Sequence, residues 1–179
     1  MRTPLVTVAA LAASVAAAAC SPYSLEPRTP TVAAFGPTKP DVATICVVRP
    51  AHSALAVTFA VHDNEQIVGA TRGESYFCYE AEPGEHAIVS DTGDSIDSEG
   101  RAHIRVEAGL RYYLHQDFDN TLGSITSKLQ WVTEPRAKEL IAECDYKVIV
   151  GVPGRERLPG PVPRARARTT GVASAKPAT

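Results

Sequence analysis

Between Arg101 and Ala108 the chain changes character at every step. Ala102, Ile104, Val106 and Ala108 fall on one side, and Arg101, His103, Arg105 and Glu107 on the other. A period of two places those sets on opposite faces of a half-buried strand and is out of phase with a helix. Leu55, Val57, Phe59 and Val61 repeat the pattern against Ala56, Thr58, Ala60 and His62. Further strands are expected at Ala43 to Arg49, Gln66 to Thr71, Glu74 to Ala81, His86 to Ser90, Arg111 to Phe118, Ser124 to Val132 and Tyr146 to Val150. Turn residues separate them, among them Asp63-Asn64-Glu65, Arg72-Gly73, Pro83-Gly84 and Ala108-Gly109. Short strands at this spacing predict a mainly β fold, a small antiparallel β-sandwich of about seven to nine strands. One C-terminal helix interrupts the pattern. Thr133 can cap it, Glu134 and Pro135 suit its first turn, and Ala137, Leu140, Ile141 and Cys144 form its apolar stripe.

Proline bounds this unit on both sides. From Ser21 to Asp41 the chain carries five prolines and few large apolar residues, the composition of an extended tether. From Gly151 onward five more prolines alternate with Arg155, Arg157, Arg164, Arg166 and Arg168, and no aromatic residue occurs. Such a segment buries too little surface to offset its ordering entropy, so residues 151–179 are expected to form a basic, disordered tail. The sandwich domain is then residues 42–150, enough for one modest core. A formal charge of −2 conceals a split. The tail carries about +5, the N-terminal part about +1, and the sandwich about −8 by difference. Anionic head groups or the acidic domain itself suit the arginines; nucleic acid is not an expected partner.

The first residues account for location. One cation, Arg2, precedes an apolar stretch from Leu5 to Val15, and Ala16 to Ala19 lead directly into Cys20. That order is a bacterial export signal with a small-residue cleavage site. With a cysteine directly after it, residues 1–19 resemble a lipoprotein signal peptide. The resemblance implies that Cys20 becomes the lipidated (palmitate-bearing) N-terminus of the mature chain. A plain secretory signal, cut before an unmodified Cys20, is the alternative. The apolar run is shorter than the ~20 residues a membrane span needs. Ser21 after the cysteine favours, by resemblance to Gram-negative sorting rules, the outer membrane over retention elsewhere in the periplasm.

Three cysteines remain, and an oxidising periplasm permits one bridge among them. On Ala43 to Arg49, Cys46 points away from the side shared by Ile45 and Val47. On Glu74 to Ala81, Cys78 points away from Phe77, Tyr79 and Ala81. If the strands are neighbours, both thiols lie on one outward face, which favours Cys46–Cys78. Cys144, on the helix stripe, is the alternative partner of either. The wide spacing does not suit a zinc site.

The segments Cys46-Val47-Val48-Arg49-Pro50, Glu74-Ser75-Tyr76-Phe77, Pro83-Gly84-Glu85-His86 and Ala108-Gly109-Leu110-Arg111-Tyr112-Tyr113 share an order and spacing with a bacterial envelope family. In these motifs the chain resembles the uncharacterised family catalogued as domain of unknown function 2846, over about Thr44 to Cys144. The resemblance implies a small β-sandwich on envelope lipoproteins and brings no catalytic residues. Cys46 and Cys78 stand where aromatic or aliphatic residues are more usual, which fits a bridge added within the fold.

Chemistry-bearing motifs are sparse. His52, His62, His86, His103 and His115 occur singly, as expected of solvated or rim positions and not of metal ligands. Ser75, Ser90 and Ser95 lack a Gly-x-Ser-x-Gly elbow, and the glycines mark turns without forming a phosphate-binding loop. The loop from Asp91 to Gly100 gathers Asp91, Asp94, Asp97 and Glu99, hard oxygen donors of the kind calcium takes, but without EF-hand spacing. Solvation is the expected state of that loop. The paired Tyr112 and Tyr113 read as one core and one rim ring. No metal, cofactor or catalytic residue is expected. The expected function is a lipid-anchored envelope protein, bound to the membrane through Cys20, whose sandwich is a non-catalytic binding or structural module for an envelope protein partner. An accessory subunit or small-ligand carrier of an envelope complex is the alternative. A periplasmic hydrolase, built on His115, Asp117 or the acidic loop, comes third. An open sheet edge or an exposed aromatic patch is what a binding module would display.

Overall fold

The structure, a computed structural model, describes residues 23–50, 55–91, 100–121, 124–151, 158–160 and 162–168. Cys20, His52 and positions 92–99 of the acidic loop lie outside the described residues, as do Arg155 and Arg157. In chain order the strands are β1 (Ser24–Pro27), β2 (Ala43–Arg49), β3 (Thr58–Asp63), β4 (Gln66–Arg72), β5 (Ser75–Ala81), β6 (Gly84–Asp91), β7 (Arg101–Val106), β8 (Arg111–Thr121) and β9 (Ser124–Val132). The helix α1 (Glu134–Ile141) follows, then β10 (Asp145–Gly151) and β11 (Arg164–Ala165). The larger sheet runs β1-β10-β5-β2-β8-β9, with β11 also on β5; the smaller runs β4-β3-β6-β7. This is the expected β-sandwich with one helix.

Three features differ from expectation. The larger sheet is mixed, since β2 runs parallel to β8 and β5 runs parallel to both β10 and β11. Alternation reports which face a residue takes and carries no information on strand direction, so parallel neighbours were invisible in it. The proline-rich flanks, expected as an extended tether and a disordered tail, pair with the larger sheet in their described parts: β1 pairs antiparallel with β10, and β11 lies along β5. The Tyr113 hydroxyl donates to the Ala34 carbonyl at 2.9 Å, and Arg111 donates to that of Gly36 at 2.9 Å, so the segment before β2 is laid against the domain. Finally, the outer face of β2 and β5 is covered.

That covering explains β2. Ile45 and Val47 point into the main core with Phe77, Tyr79 and Leu114 of the larger sheet and Val61, Val68, Ile88 and Val106 of the smaller. Cys46 and Val48 point the other way, under Ala137, Leu140 and Ile141 of α1 and Val32 and Ala34 before β2. Every residue from Ala43 to Arg49 is consequently buried, the pattern of a strand packed on both faces. Full burial of each large apolar side chain contributes on the order of 2 kcal/mol. Cys46 and Cys78 stand directly opposite each other in the β2–β5 register, with Cα atoms 4.0 Å apart, and are joined by a disulfide. The favoured pairing is thus the observed one, on a face that is helix-covered where an outward face was expected. Cys144 is free and sits three residues beyond α1. Its half-buried thiol contacts the carbonyl oxygens of Leu140 and Arg49, and burial pushes its pKa up to about 12, so it stays protonated. Thr133 occupies the N-cap of α1 in an extended conformation but makes no side-chain capping bond.

Candidate functional site

The larger sheet is split along one edge of β5. β10 pairs with β5 only through Asp145↔Ser75 and Tyr146↔Tyr76. It then leaves for the smaller sheet, where Ile149 packs against the cluster of Tyr23, Ala60 and Ile67. β11 takes up the far end of β5, through Arg164↔Glu80 and Ala165↔Ala81. Among the described residues, Phe77 to Tyr79 have no strand on that edge. The gap opens into a cleft of about 470 Å³ lined by Val68, Phe77, Tyr146, Val148 and Pro163 and by Cys78. The Cys78 side chain belongs to the disulfide on the other face, so the strand turns its backbone to the cleft. Among the described residues, two cations, Arg28 and Lys147, line this cleft and no carboxylate does. Arg28 is bonded to Glu26 at 2.6 Å, and Lys147 donates to the Arg72 carbonyl at 3.3 Å and lies 3.9 Å from the Asp145 carboxylate. Gly69 makes the floor possible: a Cβ there would collide with the Phe77 ring.

A second cleft, of about 720 Å³, adjoins the first through Pro159 and Gly160 and is lined by His62, Glu65, Gln66, Glu82, Arg164 and Arg166. Here the tail is docked mainly through its backbone. Glu80 and Glu82 donate their N–H groups to the carbonyls of Pro163 and Ala165 at 2.9 and 3.0 Å. Gln66 and Asn64 side chains donate to the carbonyls of Arg164 and Arg166 at 2.9 and 2.8 Å. Ala165 is fully buried, and the Arg164 guanidinium lies 3.4 Å from Glu80, which Lys39 also approaches at 2.6 Å.

Three sets of buried polar groups join the sheets. The Asp63 carboxylate accepts from the Tyr79 hydroxyl at 2.9 Å and faces His86 Nδ1 at 2.8 Å. His86 Nε2 faces the Glu82 carbonyl at 2.8 Å. Both partners of the ring accept, so both ring nitrogens donate and His86 is an imidazolium paired with Asp63 at zero exposure. Burial pulls the His86 pKa down, but the Asp63 hydrogen bond and charge and the Glu82 carbonyl outweigh it and leave the pKa raised. Burial, reinforced by Asp63, holds the Tyr79 phenol well above its ordinary range. The second set is neutral. Thr71 Oγ1 donates to Gln116 Oε1 at 2.5 Å, Gln116 Nε2 donates to Ser90 Oγ, and the Ser127 hydroxyl donates to Ser90 at 2.9 Å. The third is Arg49, fully buried, its guanidinium 4.7 and 5.5 Å from the Phe59 and Phe118 ring centres and bonded to the Val57 carbonyl at 2.7 Å. Burial lowers its pKa to about 10 against the pull of Asp117, which leaves a cation at neutral pH.

The singly occurring histidines therefore separate. His86 is a core cation where a solvated or rim position was expected, because the carboxylate that neutralises it comes from another strand. His103 is exposed as expected. His62 is half-buried, 3.6 Å from Asp91. His115 is half-buried with its pKa lowered by burial, and Asp117 is exposed; neither lines either cleft. Among the described residues no group of three or more His, Cys, Asp or Glu side chains is placed to hold a metal, and no helix is long and apolar enough to cross a membrane. Of the paired tyrosines, Tyr113 is buried and Tyr112 half-buried, edge-on to Trp131. His86 had a sequence signal: it shares strand parity with Ile88, an inward position. The split had none. No family model matches this chain, and neither a curated protein nor a solved structure does.

Proposed function

We propose that this chain is a lipid-anchored cell-envelope protein, of the kind the domain-of-unknown-function-2846 resemblance implies. Acyl groups on Cys20 hold it to the outer membrane, and its β-sandwich is a non-catalytic binding module for an envelope partner. The observation that carries the binding half is the split beside β5, among the described residues an open sheet edge over an apolar cleft lined by cations and no carboxylate. Open edges are templates for pairing, and natural proteins close them unless they are used. The buried His86 supports a structural use of its chemistry, since both of its nitrogens are already committed and no solvent reaches it. A small-ligand carrier is the second reading, favoured by a cleft volume within the ~300–1,000 Å³ usual for such sites. The test is the intact mass of protein extracted from membranes without reductant. A chain starting at Cys20 with acyl groups added is expected. An unmodified chain starting at Cys20 would overturn the anchor and remove membrane complexes from the search for partners.

A further inference from the structure

We propose that the Phe77–Tyr79 edge of β5 accepts an extended peptide from a partner protein, inserted as a strand between β5 and β10. The peptide carries N–H groups where it pairs, an apolar side chain for the cleft and a carboxylate for Arg28 and Lys147. This rests on the binding-module reading above and names the chemistry of its partner.

The edge is already shown to take a parallel strand, because β11 occupies its lower half. Glu80 donates to Pro163 in that ladder, and Arg164 and Ala165 sit in register with Glu80 and Ala81. Continued two residues upward, the same ladder would require the residue at 163 to donate its N–H to the Cys78 carbonyl. Residue 163 is proline, which has no N–H. The tail's own sequence therefore stops its strand at the point where the cleft begins, and among the described residues the Cys78 carbonyl is left without a donor on that edge. On the far side β10 has already turned away towards Ile67.

Backbone polarity chooses between a peptide and an alkyl chain. A hydrocarbon filling the cleft would cover the Cys78 amide and carbonyl without bonding them, a net cost for any buried polar group. An extended peptide bonds both while its alternate side chains reach Val68, Phe77 and Val148, the usual economy of strand addition. Charge selects further. Arg28 and Lys147 line the cleft while their partners Glu26 and Asp145 stand outside it, so among the described lining residues an acidic peptide side chain meets cations and is favoured over a basic one, in competition with those partners.

The test uses the full-length protein and a fluorescein-labelled peptide, Gly-Gly-Thr-Val-Thr-Val-Glu, followed by polarisation and by amide hydrogen exchange. Saturable binding is expected, with exchange at Cys78 slowed at least tenfold and exchange at Phe77 and Tyr79, which face β2, unchanged. N-methylation of the peptide's threonines and valines is expected to weaken binding at least tenfold. Lys147→Glu should weaken it about fivefold and restore it when the peptide's Glu is replaced by Lys. Pro163→Ala, which returns a donor for the Cys78 carbonyl to the tail, should weaken peptide binding. Absence of saturable binding overturns the proposal, as does an N-methylated peptide that binds equally well or a Cys78 amide as protected as its neighbours before peptide is added. Saturable binding of dodecanoate that displaces the peptide would also overturn it and make the cleft an amphiphile site. An acylated Cys20 found alongside any of these failures would leave the anchor standing.

Discussion

Asp63 and His86 form a buried ion pair within the smaller sheet that the Tyr79 hydroxyl ties to the larger one, whereas Thr71, Ser90, Gln116 and Ser127 span the same interface with neutral groups alone. Both sets draw residues from each sheet and both are almost wholly out of water. They differ in what happens when one member is lost. A buried charge whose partner is removed is left with its full desolvation penalty, while a neutral hydroxyl or amide loses one bond and can turn to another. The charged set therefore fixes β3, β5 and β6 in one arrangement and one protonation state. The neutral set fixes β4, β6, β8 and β9 with more tolerance. The charged set also abuts the docking site of the tail, since Glu82 holds both the His86 ring through its carbonyl and Ala165 through its N–H.

Four measurements would break or sharpen that contrast. Asp63→Ala strands the imidazolium and is expected to cost ~3–5 kcal/mol. In a thermal melt at pH 6 that is a fall of roughly 10 °C for a chain of this size. A loss under ~1 kcal/mol would show that the charged set is no more brittle than the neutral one. Next, pH separates the two. The folded pKa of His86 lies above the unfolded value of about 6.5, so its contribution is complete below pH ~6.5 and is lost as pH rises through the folded pKa. Denaturant melts from pH 6 upward should therefore show declining stability, and His86→Gln should flatten that slope. Tyr79→Phe removes one hydrogen bond to a charged acceptor and is expected to cost ~1.5–3 kcal/mol. The smallest effect is Thr71→Val in the neutral set, ~1 kcal/mol by chemical denaturation and the same at every pH tested.

How much of this was legible depended on whether the relevant neighbour lay close in sequence. β2 and β9 have the limits that alternation set, and the turn at Asn64 and Glu65 is present, both residues taking positive φ without a glycine. The bridge followed from parity because Cys46 and Cys78 lie on adjacent antiparallel strands. Arg49 was read only as the end of a strand, since nothing beside it reports that Phe59 and Phe118 will close over its guanidinium. His86 shares parity with the inward Ile88, but nothing beside it reports its charge partner, since Asp63 is on another strand and Glu82 acts through its carbonyl. β1 and β11 escape a composition-based reading because proline-rich chain reads as tether or disordered tail, and composition does not say whether a sheet edge is waiting for it. The split beside β5 combines two such blind spots, a parallel pairing and the point at which it ends.

The parallel contact of β2 with β8 sets the tempo at which this molecule comes together. Thr44 and its neighbours must find Arg111 to His115 across everything that forms the smaller sheet, and β10 must return to β5 from the other side of α1. Few of these pairings are local. Chains dominated by distant partners fold in about milliseconds to seconds, orders of magnitude more slowly than helical bundles of similar stability. Until β8 arrives, β2 would stand with a bare flank, and its apolar residues would be the surface that a folding helper has to shield.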